Sequence, residues 1–171
     1  HQAGALAFSF SCSPHPQLTW QALEVAVSIA ESIEEIFKVS LDVKWPNDLF
    51  RNGKKCGGIL LQHQSPHMLI GVGLNLWPNA DWGSVLSSRA PLMDNWAHEI
   101  PYQLVSKYML KHPRPVQQIR EAWIKRCTHY EKSVIISEGE VKIAGRFDGI
   151  GENGEAIIDG KSVYNGMLRL A

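Results

Sequence analysis

Cysteine is scarce. The 171-residue chain has 3, Cys12, Cys56 and Cys127, widely spaced and without a CxxC pair. That speaks against a disulfide framework and a zinc knuckle, and reduced thiols in a cytoplasm fit best. An excess of one charge is lacking too, since 17 basic residues offset 17 acidic ones. No overall field recruits nucleic acid, and any anionic ligand has to be met by local groups. No apolar run reaches the roughly 18 residues that span a bilayer, so no membrane partner is expected. Signal peptide, internal repeats and low-complexity tracts are missing as well. So is an initiator methionine: His1-Gln2-Ala3-Gly4 leads straight into strand-like sequence, which reads as a fragment boundary. What is plentiful is apolar material, 44% against 20% charged, the balance of a soluble globular protein with a real core.

Periodicity divides the chain. From Ala5 to Cys12, Leu6, Phe8, Phe10 and Cys12 alternate with small residues, the mark of a strand with one buried face. After Pro14 and Pro16, Thr19 offers an N-cap. Trp20, Leu23, Val27, Ala30, Ile33 and Phe37 then recur at helical steps, with Glu24, Glu31, Glu34 and Glu35 on the polar side. Val39, Leu41 and Val43 alternate again. Asn52-Gly53 signals a hairpin because both residues tolerate positive φ. Gly57–Gln62 and Met68–Leu76 read as strands around a turn at Ser65-Pro66, and residues 80–95 read as loop with short helical pieces. Ile100, Leu104 and Tyr108 predict a helix, as do Val116, Ile119 and Trp123 behind Pro115, placed in that helix's first turn. After Tyr130, short β-like segments over 133–137, 140–147, 155–159 and 162–170 alternate with glycine turns, which predicts a small barrel or meander and a boundary near residue 130.

Three segments carry candidate chemistry: Lys44-Trp45-Pro46-Asn47-Asp48-Leu49, Gly53-Lys54-Lys55-Cys56-Gly57-Gly58-Ile59-Leu60 and Gly71-Val72-Gly73-Leu74-Asn75-Leu76. A hairpin folds Lys55 back towards Asp48, and Gly57 and Gly58 let a ligand approach the backbone. A lysine beside bare N–H groups suits a carboxylate or phosphate. Asp48 could hold a metal, accept a proton or orient an amine. The plain alternative is a turn with solvated lysines on its edge. The 7 histidines make no metal-ligand spacing, and most read as surface or loop residues. Trp20, Trp45 and Trp123 read as core, Cys56 lacks an activating neighbour, and Lys142, Arg146, Lys161 and Arg169 read as the wet face of late strands.

In that order and at that spacing, the three segments resemble the motifs of the biotin–protein ligase family, and the closing β-segments are similar to its C-terminal domain, so the resemblance covers nearly the whole chain. It implies an α+β fold of class II synthetase-like kind. A mixed, mainly antiparallel sheet would be packed by helices around Thr19–Phe37 and Ile100–Arg126, as an N-terminally incomplete catalytic domain over 1–130, with a small SH3-like β-domain over 131–171. It implies an ATP-dependent ligase that joins biotin and ATP, with Mg2+, into biotinyl-5′-AMP and then transfers biotin to a lysine of a biotin carboxyl carrier protein. Position by position, Lys55 matches the lysine on the biotin carboxylate and α-phosphate, and Gly58 and Leu60 match the wall of the biotin site. Asp48 matches the acidic residue near the nucleotide and acceptor lysine, Asn47 and Asn75 match polar positions on the ATP side, and Gln2 and Gly4 match the start of the biotin loop. A homodimer is compatible with the family. DNA binding is not expected through these residues, which contain no helical DNA-binding domain.

The chain departs from the family at one place. There a basic loop resembling Gly-Arg-Gly-Arg-x-Gly-Arg follows Gln-Ala-Gly, whereas here Ala5 follows Gly4 directly. Such loops are mobile without ligand, and this one is expected to exist outside these residues. A lipoate ligase relative and a non-catalytic biotin- or nucleotide-binding module are the rival expectations.

Overall fold

The computed structural model describes residues 4–78, 82–88 and 95–170. Alternating sequence builds a five-stranded sheet from β1 (Ala5–Cys12), β2 (Asp42–Lys44), β3 (Asp48–Arg51), β4 (Lys54–Gln64) and β5 (His67–Asn75) in the order β1-β5-β4-β3-β2. Asn52 and Gly53 both have positive φ and close the β3–β4 hairpin. Leu6, Leu49, Ile59, Ile70, Val72 and Leu74 point to one side and are buried. Helix α1 (Gln21–Phe37) lies across β2, β3 and β4 on that side, and α2 (Trp96–Lys111) covers β1. Helix α3 (Val116–Arg126) flanks α1 and ends at the bridge Val43–Cys127, the single parallel pairing among the described residues. The strand pairs themselves are antiparallel throughout.

Burial goes further than periodicity predicts. Trp20, Leu23, Val27, Ala30 and Ile33 are buried as expected, but so are Gln21, Glu24, Val25 and Ser28, because α1 is enclosed by the sheet on one side and two helices on the other. Glu24, assigned to the polar side, is therefore inside. It accepts the Arg114 N–H at 2.7 Å and lies 2.8 Å from His112 Nδ1. A carboxylate tolerates such burial only with partners of this kind. Thr19 falls in a 3-10 turn (Leu18–Trp20), and no side chain caps α1. The strand expected from Val39 is formed only by Asp42–Lys44. Pro115 precedes α3 as its N-cap instead of entering the first turn. The loop with short helical pieces expected over 80–95 lies partly outside the described residues; 82–88 form no helix or strand, so no helical piece falls there.

The second sheet contains β6 (Ser133–Glu138), β7 (Val141–Ile150), β8 (Ala156–Ile158), β9 (Lys161–Val163) and β10 (Met167–Leu170) in the order β10-β6-β7-β8-β9. The last expected segment is thus two strands. Trp20 Nε1 donates to Glu152 O at 2.9 Å and Trp45 Nε1 to Gly154 O at 3.3 Å, joining the α1 side of the molecule to a turn of the second sheet. His129 packs edge-on against Trp123 and Phe147. Burial pushes its pKa down to about 4. His15 and His129 are buried and the His112 side chain nearly so, against the surface expectation; each fills a junction between elements.

Candidate functional site

Antiparallel register places one residue of each strand in a single row on the sheet face turned away from the helices. Ala7 pairs with Gly73, Gly73 with Gly58, Gly58 with Asp48, and Asp48 with Lys44. Directly opposed residues share a face, so the row carries almost no side-chain bulk in its centre and charge at one end. A Cβ at Gly73 would meet nothing within 4 Å, whereas one at Gly58 would stand 3.6 Å from Lys55 Nζ and 3.7 Å from Asp48 Oδ1. The glycines form an open floor beneath the ion pair. The next row, Ser9–Gly71–Leu60, continues it, and Leu60 rises from the sheet 73% exposed.

Lys55 Nζ sits 2.5 Å from Asp48 Oδ1, with Lys44 Nζ 3.7 Å from Asp48 Oδ2. The hairpin and the β2–β3 turn therefore deliver two ammoniums to one carboxylate. Burial lowers the pKa of Lys44, opposed by the charge of Asp48. A cleft of about 320 Å³ over the floor is lined by Ala7, Asp48, Lys55, Gly58, Leu60 and Gly73. A second hollow of about 640 Å³ shares Asn47, Asp48 and Lys55 and extends past Phe50 to Met167 and Leu168 of β10. The Lys55 amine thus stands at the junction of two cavities.

Other expected site residues have structural duties. Asn47 Nδ2 donates to Ile59 O at 2.7 Å, and Ile59 N–H returns a bond to Asn47 O, fastening the turn below Asp48. Asn75 Nδ2 donates to Gly83 O at 3.3 Å and Asn75 O accepts from Val85 N–H, tying the segment after β5 back to the sheet. Gly83 N–H in turn donates to Lys55 O at 3.0 Å. Gly4 has φ +107° and lies so close under Trp77 that a Cβ would approach Cε3 to 2.7 Å. Gln2 lies outside the described residues. Cys56, beside Lys55 in sequence, is fully buried and its thiol is pushed up to about 12 by burial, so it is no thiolate nucleophile. Among the described residues no group of three His, Cys, Asp or Glu is placed to hold a metal ion.

Residues 1–75 match the model of the biotin/lipoate A/B protein ligase family. The "Bifunctional ligase/repressor BirA" of Bacillus subtilis is 42% identical over 66 residues, 36% of this chain and 19% of that protein. The "Biotin--[acetyl-CoA-carboxylase] ligase" of Paracoccus denitrificans is 28% identical over 137 residues, 70% of this chain and 57% of its own length. The crystal structure of biotin protein ligase from Aquifex aeolicus aligns with 98% of this chain and 83% of its own, with a TM-score of 0.78 at 25% identity. A further structure of that protein, in complex with biotin and ATP, aligns with a TM-score of 0.75 at 23% identity. Over residues 1–75 the chain is similar to the biotin/lipoate ligase family.

This match agrees with the resemblance carried by the three segments, all of which lie within or end beside the matched residues. The chain spans between about a fifth and three fifths of the length of these two curated relatives. One residue escaped the reading of the sequence as a site residue: Lys44, first in its motif. The signal was available, because a strand ending in Lys44 and a return strand beginning at Asp48 set the two opposite each other.

Proposed function

We propose that this chain is the larger part of a biotin–protein ligase, an ATP-dependent enzyme of the cytoplasm. In this reading residues 1–130 are the catalytic domain and 131–171 a small SH3-like domain. The observation that carries it is the Lys55 ammonium held over a glycine floor at the junction of two clefts. An acyl-adenylate forms when a carboxylate oxygen attacks the α-phosphorus of ATP and pyrophosphate leaves. Both reactants are anions and repel each other, so a fixed cation between them lowers the barrier. Lys55 supplies that charge. Gly58, Gly73 and Leu60 wall the biotin side, and the larger cleft towards β10 suits the nucleotide.

In the second step the neutral ε-amine of an acceptor lysine attacks the carbonyl of biotinyl-5′-AMP. An amide forms, the acyl–phosphate bond breaks and AMP leaves. The incoming ammonium must first lose a proton, and Asp48 is the carboxylate placed to receive or orient it. The acceptor is the lysine of a biotin carboxyl carrier protein, the partner class that names such as "Biotin--[acetyl-CoA-carboxylase] ligase" support. Magnesium fits as a companion of the triphosphate, since Asp48 is a single carboxylate with both oxygens facing ammoniums; it would offset polyphosphate charge there.

Biotin-dependent pyrophosphate release from ATP tests the proposal on full-length protein. Release with biotin and none with lipoate is the expected result. No release from a folded sample favours a non-catalytic binding module, and release with lipoate alone makes the protein a lipoate ligase.

A further inference from the structure

Lys44 closes the cross-strand row at its β2 end, and the chemistry above leaves it without a role. One carboxylate faces two ammoniums, one on each oxygen: Lys55 at 2.5 Å and Lys44 at 3.7 Å. Lys55 is the closer partner and also the group that has to reach the substrates. Once it turns to the biotin carboxylate and the α-phosphate, Asp48 loses that partner. A bare carboxylate beside a phosphate would repel the nucleotide and pull Lys55 back.

We propose that Lys44 is a positioning residue for adenylation, keeping Asp48 oriented and its charge offset while Lys55 is engaged by substrate. The inference rests on the biotin-ligase reading above. Register supports it, since Lys44 and Asp48 are direct partners across a tight turn. Packing supports it as well: the Lys44 side chain is 20% exposed, with its Nζ 4.8 Å from the Phe50 ring centroid. The other charges that bear on it, Lys55 of β4 and Arg169 of β10, are cations that oppose its protonated form, and Asp48 is its sole ion-pair partner among the described residues. A lysine kept only for solubility would stand in water away from other cations.

Biotin-dependent exchange of pyrophosphate into ATP, measured on the full-length protein, tests this. Lys44→Met is expected to lower kcat roughly 10- to 100-fold while the KM for biotin changes by less than about threefold. Lys44→Arg keeps the charge and should stay within about threefold of wild type. In an Asp48→Asn background, Lys44→Met should add little, because no carboxylate charge is left to hold. Normal exchange in Lys44→Met, equal losses in the Met and Arg variants, or an undiminished Lys44→Met loss in the Asp48→Asn background each overturns the proposal. Lys44→Gln repeats the comparison should the Met variant fail to fold. Absence of exchange in the wild type is a separate failure and removes the ligase reading itself.

Discussion

The two faces of the first sheet use the same strands for opposite purposes. On the inner face, Leu6, Ile59, Ile70, Val72 and Leu74 are buried against α1 and α2. On the outer face, one residue along, stand Ala7, Gly58, Gly71 and Gly73, with Asp48, Lys44 and Lys55 at one end. Apolar bulk inside makes the sheet rigid. Its absence outside leaves room for a flat ligand against backbone, and the charges lie at the rim where an anionic tail would reach. A period of two thus separates stability from chemistry within single strands.

That separation is open to attack by substitution. The largest effect belongs to Lys55→Ala, which should lower biotinyl-adenylate formation roughly 1,000-fold, about 4 kcal/mol of transition-state stabilisation. The melting temperature should move by only a few degrees, because an ion pair at a half-exposed lysine contributes under about 1 kcal/mol. Ile70→Ala on the opposite face should do the reverse. Denaturant unfolding should show a loss of about 2–5 kcal/mol, while turnover per folded molecule stays near wild type. A large activity loss in folded Ile70→Ala protein would show that the faces are not independent.

Acid offers a way to perturb stability without touching the outer face. Burial lowers the pKa of His129 from 6.5 to about 4 in the folded protein. The unfolded chain then binds more protons between these values, so stability is complete above about pH 6.5 and declines as pH falls towards 4. The loss should approach about 3 kcal/mol at the acid end. Urea melts across this window should show the decline in wild type and a shallower one in His129→Phe. A smaller effect is expected from Gly73→Val. Its side chain would enter open space, so the fold should be kept while the Kd for biotin rises roughly tenfold, about 1.4 kcal/mol, by calorimetry.

Much of this layout was legible from residue order. Alternation marked β1, the turn at Ser65-Pro66 set off β5, the three- and four-residue steps marked α1, and Asn52-Gly53 marked the hairpin that carries Lys55. Each is a local signal that tertiary packing left intact. What escaped depends on elements distant in sequence. Glu24 reads as a solvent residue until Arg114 and His112 close over it. His129 reads as a loop histidine until Phe147 covers it. The amides of Asn47 and Asn75 also donate to Ile59 O and Gly83 O, bonds that single-sequence patterns do not encode. Lys44 is the exception, since its partner Asp48 lies four residues on and the turn between β2 and β3 sets the two opposite each other.

A crystal structure with biotinyl-5′-AMP would test the separation of faces most directly. The account predicts the fused rings over Gly58 and Gly73, the phosphate within hydrogen-bonding distance of a Lys55 amine turned away from Asp48, and Asp48 still paired with Lys44. An adenylate bound elsewhere, with Lys55 still on Asp48, would contradict it.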